Sequence, residues 1–476
     1  MNRALRSLLS YLAVGLLLIG AAGIEAKGQA LPHINADPAQ SSISGISSGA
    51  FMSVQFAVAW SSTITGVGVI AGGPYYCAEG NPIDFTGVGA MLEAVGPCMK
   101  GPPPPLQALY DETASFANTG DIDDPVHLRD TKVYLFHGFN DAVVAGSVSD
   151  AAAAFFAHFA APGAHNLFYQ NSLGAGHSQP ITDHPGTAGL NSCPTNVSPF
   201  MNQCGYDAAG VILQHIYGVL NPRQTGKLPG KMLTFDQDKY TAPFSPDTFS
   251  MDKKGFVYVP QACAAGAACR VHIALHGCLQ DYSDIGRRYI DYAGYNEWAD
   301  TNNVVVLYPQ TIKGTGIGTE PLNPQACWDW FAYIHQNADY VTKGGRQIHA
   351  IKAMLDALAQ GKPSPPTAWA AAAPQGLTEI DAAATAIDLA WRPTPGATGY
   401  RVERASGSGD FAPLGTVTGP TFGDSGLPPA STYHYHVVAL HGTDESQPSA
   451  EITAATIAAP PPCAEPGNCP VAAAQP

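Results

Sequence analysis

The segment Ser44-Gly45-Ile46-Ser47-Ser48-Gly49-Ala50 constrains the fold more than any other stretch of the chain. A β-prone run precedes it. Phe51, Val54 and Val58 follow at i, i+3 and i+7, the spacing of one helix face. A strand that turns through Gly-x-Ser-x-Gly into a helix is a strained elbow. The glycines let the chain reverse and the helix pack close behind, and the turn projects the serine hydroxyl. The helix N-terminus also aims unpaired backbone N–H groups at any anion that develops beside that serine. The same letters would serve a Ser/Gly-rich helix cap with no chemistry, so the reading depends on partners elsewhere in the chain.

A serine at its ordinary pKa needs a base, and the base needs an orienting acid. Two strand-like runs offer them. Val133-Tyr-Leu-Phe136 leads into His137-Gly-Phe-Asn-Asp141, and Asn166-Leu-Phe-Tyr169 leads into Leu173-Gly-Ala-Gly-His177. Asp141 and His177 fall just past strand ends, where α/β sheets place their chemistry. His137 is the rival base, read as structural; Asp150 and Asp183 are the weaker acids. The order Ser47, Asp141, His177 is that of α/β-hydrolases.

Only residues 31–46 precede Ser47 in the folded part, too few for the strands that normally come before the nucleophile. Candidate strands arrive later, at Phe256-Val-Tyr-Val-Pro260, Val271-His-Ile-Ala-Leu275 and Val304-Val-Val-Leu-Tyr308. The middle one ends in His276-Gly277-Cys278, an oxyanion turn of the His-Gly kind. The predicted fold is therefore α/β, a circularly permuted α/β-hydrolase domain followed by a small all-β sandwich. The predicted oxyanion donors are the backbone N–H groups of Ser48 and Cys278, with His276 shaping the turn. Trp328 and Trp330 in Cys327-Trp-Asp-Trp-Phe331 are candidate substrate contacts, with one of them expected to line the cleft. Tyr75 and Tyr76, after the strand run Val67–Ile70, are further candidates.

Around this core the chain divides into a leader at 1–30, a catalytic domain at 31–361, a Pro-rich linker at 362–367, a sandwich at 368–457 and a low-complexity tail at 458–476. Arg3 and Arg6 before the apolar run 11–20 form a secretory signal pattern too short for a comfortable membrane span. Ten cysteines in an exported chain predict disulfides. Proximity pairs Cys77 with Cys98, Cys193 with Cys204, Cys263 with Cys269 and Cys463 with Cys469, which leaves Cys278 with Cys327. Spacing alone does not fix connectivity. No compact Cys/His set calls for a metal.

The net charge is −15. That argues against nucleic acid and anionic membrane surfaces, which need a basic face. Only 13% of residues are charged, so the surface is expected to suit an uncharged substrate. In the second domain, alternation puts Tyr433, Tyr435, Val437 and Ala439 on one face, with Trp391, Tyr400 and Val402 expected on the opposite sheet. With the Leu427-Pro-Pro-Ala-Ser-Thr-Tyr433 corner, this segment resembles a fibronectin type III domain.

Gly-Ile-Ser-Ser-Gly near the mature N-terminus, Asp141, Gly-Ala-Gly-His177, His-Gly-Cys278 and Cys-Trp-Asp-Trp together resemble the secreted poly(3-hydroxybutyrate) depolymerases of circularly permuted type. The resemblance covers about 330 residues plus the fibronectin-like module. It implies an extracellular serine esterase that cleaves short-chain polyhydroxyalkanoates to oligomers and monomers, with no metal or organic cofactor. A monomer is expected, secreted from the cell, with the periplasm as the alternative location. Many extracellular members end in a dedicated substrate-binding domain; here only residues 458–476 follow the sandwich, too few for one. A secreted carbohydrate esterase of feruloyl or acetylxylan type is the alternative.

Overall fold

The computed structural model describes residues 29–78, 88–182, 190–334, 338–359, 373–394, 397–407, 409–441 and 444–459. The leader up to residue 28, the linker 362–367, Asp183, Cys463, Cys469 and the tail from 460 lie outside the described residues.

Val/Ile-rich runs buried on both sides build the central sheet, as expected where helices cover both faces. Its strands are β1 (Ser41–Ile46), β2 (Ile64–Ile70), β3 (Lys132–Phe136), β4 (Leu167–Gln170), β5 (Lys231–Asp236), β6 (Lys254–Val259), β7 (Arg270–Leu275) and β8 (Val304–Tyr308). Their spatial order is β4-β3-β2-β1-β7-β8-β6-β5. Neighbours are parallel from β4 through β8, and β6 runs antiparallel to both β8 and β5. Counted from β5 as the first strand, the order reads 1-2-4-3-5-6-7-8 with the second strand reversed. That is the α/β-hydrolase sheet with its chain ends moved, the circular permutation expected from the late strand runs. β5 had no counterpart among the expected strands, because its alternating Lys-Met-Leu-Thr-Phe-Asp is a half-buried edge rather than an apolar run.

Helix α1 (Ser48–Ala59) follows β1 directly, and all twelve of its residues are buried. The one-faced pattern Phe51, Val54, Val58 therefore understates it; a helix covered on every side is apolar all round. Helices α2 (Val88–Val95), α3 (Leu106–Thr119) and α4 (Gly146–Phe159) come between β2 and β4, and α5 (Ala208–Tyr217), α6 (Tyr295–Thr301) and α7 (Arg346–Ala359) complete the domain. One core joins α1, α4 and α7 to one sheet face; a second joins α5 and α6 to the other.

Strand β1 is unusual in burying three serines, Ser41, Ser42 and Ser44. Two are satisfied by neutral His272 on β7, whose Nδ1 lies 2.7 Å from Ser42 Oγ and Nε2 2.8 Å from Ser44 Oγ. Tyr217 and Tyr295 close the chain at 2.6 Å from Ser42 and Ser44 respectively. Burial pushes His272 down to about 3, so the ring is uncharged at neutral pH. This polar seam joins the early strand β1 to the late strand β7.

Four disulfides pair Cys77–Cys98, Cys193–Cys204, Cys263–Cys269 and Cys278–Cys327. Such crosslinks persist in oxidising compartments. No helix among the described residues is long and apolar enough to cross a membrane.

The second domain packs β9 (Thr378–Ala382), β10 (Ala386–Ala390) and β13 (Thr421–Ser425) against β11 (Gly399–Ser406), β12 (Ala412–Val417), β14 (Thr432–His441) and β15 (Ile452–Ala455). The orders β9-β10-β13 and β12-β11-β14-β15 are those of a fibronectin type III sandwich. Tyr433, Tyr435, Val437 and Ala439 point into its core together with Trp391, Tyr400 and Val402. Tyr400 and Val402 do not come from the opposite sheet, however: β11 pairs directly with β14, so of these three only Trp391, just past β10, comes from the other side, where Ile387 and Leu389 join it.

Candidate active site

Ser47 sits between β1 and α1 with φ 55° and ψ −123°, a conformation that costs a side-chain-bearing residue about 1–3 kcal/mol. Both motif glycines are required by contact. A Cβ on Gly45 would lie 2.3 Å from the Gly49 carbonyl oxygen, and one on Gly49 would lie 2.3 Å from that of His276. The elbow thus closes directly onto the end of β7, where the oxyanion turn begins.

Asp141 and His177 emerge from the ends of β3 and β4. Asp141 Oδ2 stands 2.8 Å from His177 Nδ1, and both side chains are nearly inaccessible to solvent. The other oxygen, Oδ1, accepts the amides of Val143 and Val144 at 2.8 and 2.9 Å. Burial pushes the Asp141 carboxyl up, but His177 and these two amides outweigh it, and the group stays below the usual range as a carboxylate. Asn140 N donates to Ala175 O at 3.1 Å and Phe139 N to Leu173 O at 3.0 Å, which aligns the two loops. His137, the rival base, is buried with Nε2 3.0 Å from Val144 O and braces the acid turn instead.

Ser47 and His177 line one cleft of about 340 Å³, along with Ser48, Gly277 and Cys278. No hydrogen bond joins Ser47 to His177 in this resting structure; such contacts often tighten only with substrate. The amides of Ser48 and Cys278 have no acceptor among the described residues, and both residues face this cleft. His276 lies outside the cleft lining. Burial pushes it down to about 4, so its ring is neutral. Its Nδ1 lies 2.7 Å from Gly277 O and its Nε2 accepts from Thr311 N at 3.3 Å, which fixes the tautomer. Its carbonyl accepts Trp328 Nε1 at 2.9 Å. The Cys278–Cys327 disulfide ties the turn to the Trp328 segment.

Of the aromatic candidates, only Trp330 lines the cleft, stacked on Phe51 with centroids 4.4 Å apart. Trp328, Tyr75 and Tyr76 are corrections. Trp328 is fully buried in the main core behind the oxyanion turn, where its indole N–H is satisfied by His276 O. Tyr75 is buried with its hydroxyl on Val341 O, and Tyr76 packs against Phe116 and Tyr340 in the main core.

Sequence reasoning missed Phe200, whose ring stands edge-on 5.7 Å from the His177 imidazole. It also missed Gln280, whose Oε1 accepts Gly277 N at 2.7 Å while Nε2 donates to Pro199 O at 2.7 Å. Phe200 lies in no strand-end motif and meets His177 ring to ring, whereas Gln280, at the end of the turn after β7, acts through the Gly277 and Pro199 backbone. Val143, Val144, Leu279 and Phe331 add to an apolar wall, and none of the described residues lining the cleft is Asp, Glu, Lys or Arg. Among the described residues no group of three or more His, Cys, Asp or Glu side chains is placed to hold a metal ion.

The permuted strand order and the serine elbow put the protein among the α/β-hydrolases, the class that carries out acyl transfer from a serine. No family model matches the chain. It is 38% identical to a poly(3-hydroxybutyrate) depolymerase of Delftia acidovorans over 86% of this chain and 77% of that one. It is 39% identical to a polyhydroxybutyrate depolymerase of Talaromyces funiculosus over 73% of this chain and 96% of that one. Among solved structures, a serine-to-alanine PHB depolymerase complexed with an R3HB trimer matches with a TM-score of 0.61 at 37% identity, over 70% of this chain and 99% of that one. The chain belongs to the poly(3-hydroxybutyrate) depolymerase family and is a carboxylic ester hydrolase.

Proposed function

We propose that Ser47, His177 and Asp141 hydrolyse poly(3-hydroxybutyrate) or a related aliphatic polyester by two-step acyl transfer. His177 takes the Ser47 proton as Oγ attacks the ester carbonyl, and Asp141 stabilises the imidazolium. The amides of Ser48 and Cys278 receive the tetrahedral oxyanion. His177 then protonates the departing hydroxyl end as the ester C–O bond breaks. Water, deprotonated by His177, releases the acyl group as a hydroxyacid end and restores Ser47. Trp330 on Phe51 forms the wall for the chain next to the scissile ester.

The observation that carries this reading is the 2.8 Å Asp141–His177 contact, with His177 lining the same cleft as Ser47. The substrate follows from the relatives, two named for this polymer and one solved with an R3HB trimer. Four disulfides and the Arg3/Arg6 leader pattern support export. The enzyme is read as a monomer, with a catalytic domain at 31–361 and a sandwich at 368–457.

Paired assays test the reading: clearing of a polyhydroxybutyrate suspension against release of acid from feruloylated or acetylated xylan. Clearing without xylan turnover is expected; the reverse would move the enzyme to the carbohydrate esterases. His137→Ala should retain most activity, whereas a loss as deep as that of His177→Ala would make His137 the base.

A further inference from the structure

A single side chain outside the triad touches the backbone on both sides of the acid–base pair. Asn196 Oδ1 accepts the His177 amide at 2.7 Å and the Ala142 amide at 3.0 Å. Its Nδ2 donates to Asn140 O at 3.0 Å and Pro194 O at 3.2 Å. Two N–H groups facing one end and two carbonyls facing the other leave the amide one orientation. The direct backbone bonds between the two loops stop at Asn140 and Ala175. Asn196 continues that ladder to the residues where position matters, 142 beside the acid and 177 itself.

The loop carrying Asn196 is itself held. The Cys193–Cys204 disulfide closes it. Buried Asn202 gathers the carbonyls of Cys193 and Thr195 at 2.8 and 2.7 Å. Cys193 O also accepts Gly176 N at 2.8 Å, immediately before the base. At the other end the same loop sets Phe200 against the His177 ring. One crosslinked loop thus grips the main chain and the ring of His177 while offering no group to a reacting atom.

We propose that loop 193–204 is a clamp for the general base, with Asn196 the positioning residue that sets His177 relative to Asp141. This rests on the roles given to His177 and Asp141 above. Loss of the Asn196 bonds lets the imidazole drift from the line between Ser47 and the leaving group, which slows chemistry, while Asn196 itself lines no part of the cleft. Misplacement of this kind costs up to about 10²-fold in rate.

The test uses the full chain and a soluble butyrate ester. Asn196→Ala removes all four bonds, and Asn196→Gln keeps the amide but displaces it by one methylene. Both should lower kcat by about 10- to 100-fold, with KM within about twofold and phosphonate labelling of Ser47 slowed in proportion. Thermal unfolding, recorded for each variant, shows that the assay temperature lies below the transition; if the Ala variant does not fold, the Gln variant carries the test. Wild-type kcat in either folded variant, beside an inactive His177→Ala, would overturn the clamp. Wild-type kcat in His177→Ala would instead overturn the assignment of the base. A fall in kcat matched by an equal rise in KM would assign Asn196 to substrate binding and also overturn the proposal.

Discussion

The two halves of the central sheet contribute to the cleft in different ways. Strands β1 to β4, early in the chain, supply side chains: Ser47, Asp141 and His177 each follow a strand end. Strands β5 to β8, late in the chain, supply no reacting side chain but the Cys278 amide, the turn shaped by His276, and Trp330, set against the Ser48 amide and Phe51 of the early half. The carboxyls differ in the same sense. In the first half Asp141 is held low by His177 and two amides against the pull of burial. In the second half burial pushes Asp329, between the two tryptophans, up to about 7, with backbone amides its only compensation. A permuted chain can separate these halves because a sheet needs only neighbouring strands, not consecutive ones.

The sharpest way to break this comparison is at the first half. Ser47→Ala should lower kcat by about 10⁶. Its melting temperature should hold, since the Ser47 hydroxyl makes no hydrogen bond among the described residues. Retained turnover on a soluble ester would mean the chemistry lies elsewhere. In the second half, Cys278→Ser with Cys327→Ser should cost about 10² in kcat through a wandering oxyanion donor. The same pair should lose about 4 kcal/mol of stability for a separation of 49 residues, read from denaturant unfolding. An activity loss no larger than the unfolded fraction would reduce that disulfide to a staple.

Smaller effects distinguish the two tryptophans. Trp330→Ala should raise KM roughly 2- to 10-fold, the worth of an aromatic contact. Trp328→Phe should act on kcat instead, by roughly fivefold, through the lost bond of about 1 kcal/mol to His276 O. The smallest effect on kcat concerns Asp329. Its raised pKa contributes stability that is full below the ordinary carboxylate range and is lost as pH rises toward about 7. Asp329→Asn should flatten that fall in a series of unfolding curves between about pH 4 and 7 and leave kcat near wild type; an unchanged slope would refute the assignment.

The same division governs what could be read from the letters alone. Ser47, Asp141 and His177 are legible because a side chain that reacts must be of a given type, and each follows an apolar run. The permutation was legible because 31–46 is too short and the later Val-rich runs too many. The edge strand β5 was not, since its half-buried alternation resembles a loop-flanked surface. Tyr75, Tyr76 and Trp328 looked like cleft residues because aromatic letters do not reveal which side of a turn they pack on. Asn196 and Phe200 act on backbone or ring neighbours brought close only by folding, and Gln280, though local to Gly277, carries no letter that marks a turn brace.

The central claim is that the Ser47 hydroxyl, the His177 base and the Ser48 amide of the early half meet the Cys278 amide of the late half around one ester carbonyl. The most direct measurement is the structure of the enzyme inactivated with a phosphonate ester. The account predicts a covalent bond to Ser47 Oγ, with the phosphoryl oxygen within about 2.7–3.1 Å of the amides of both Ser48 and Cys278 and the His177 imidazole facing the leaving-group side. An adduct whose oxygen engages neither amide, or a label on another residue, would contradict it.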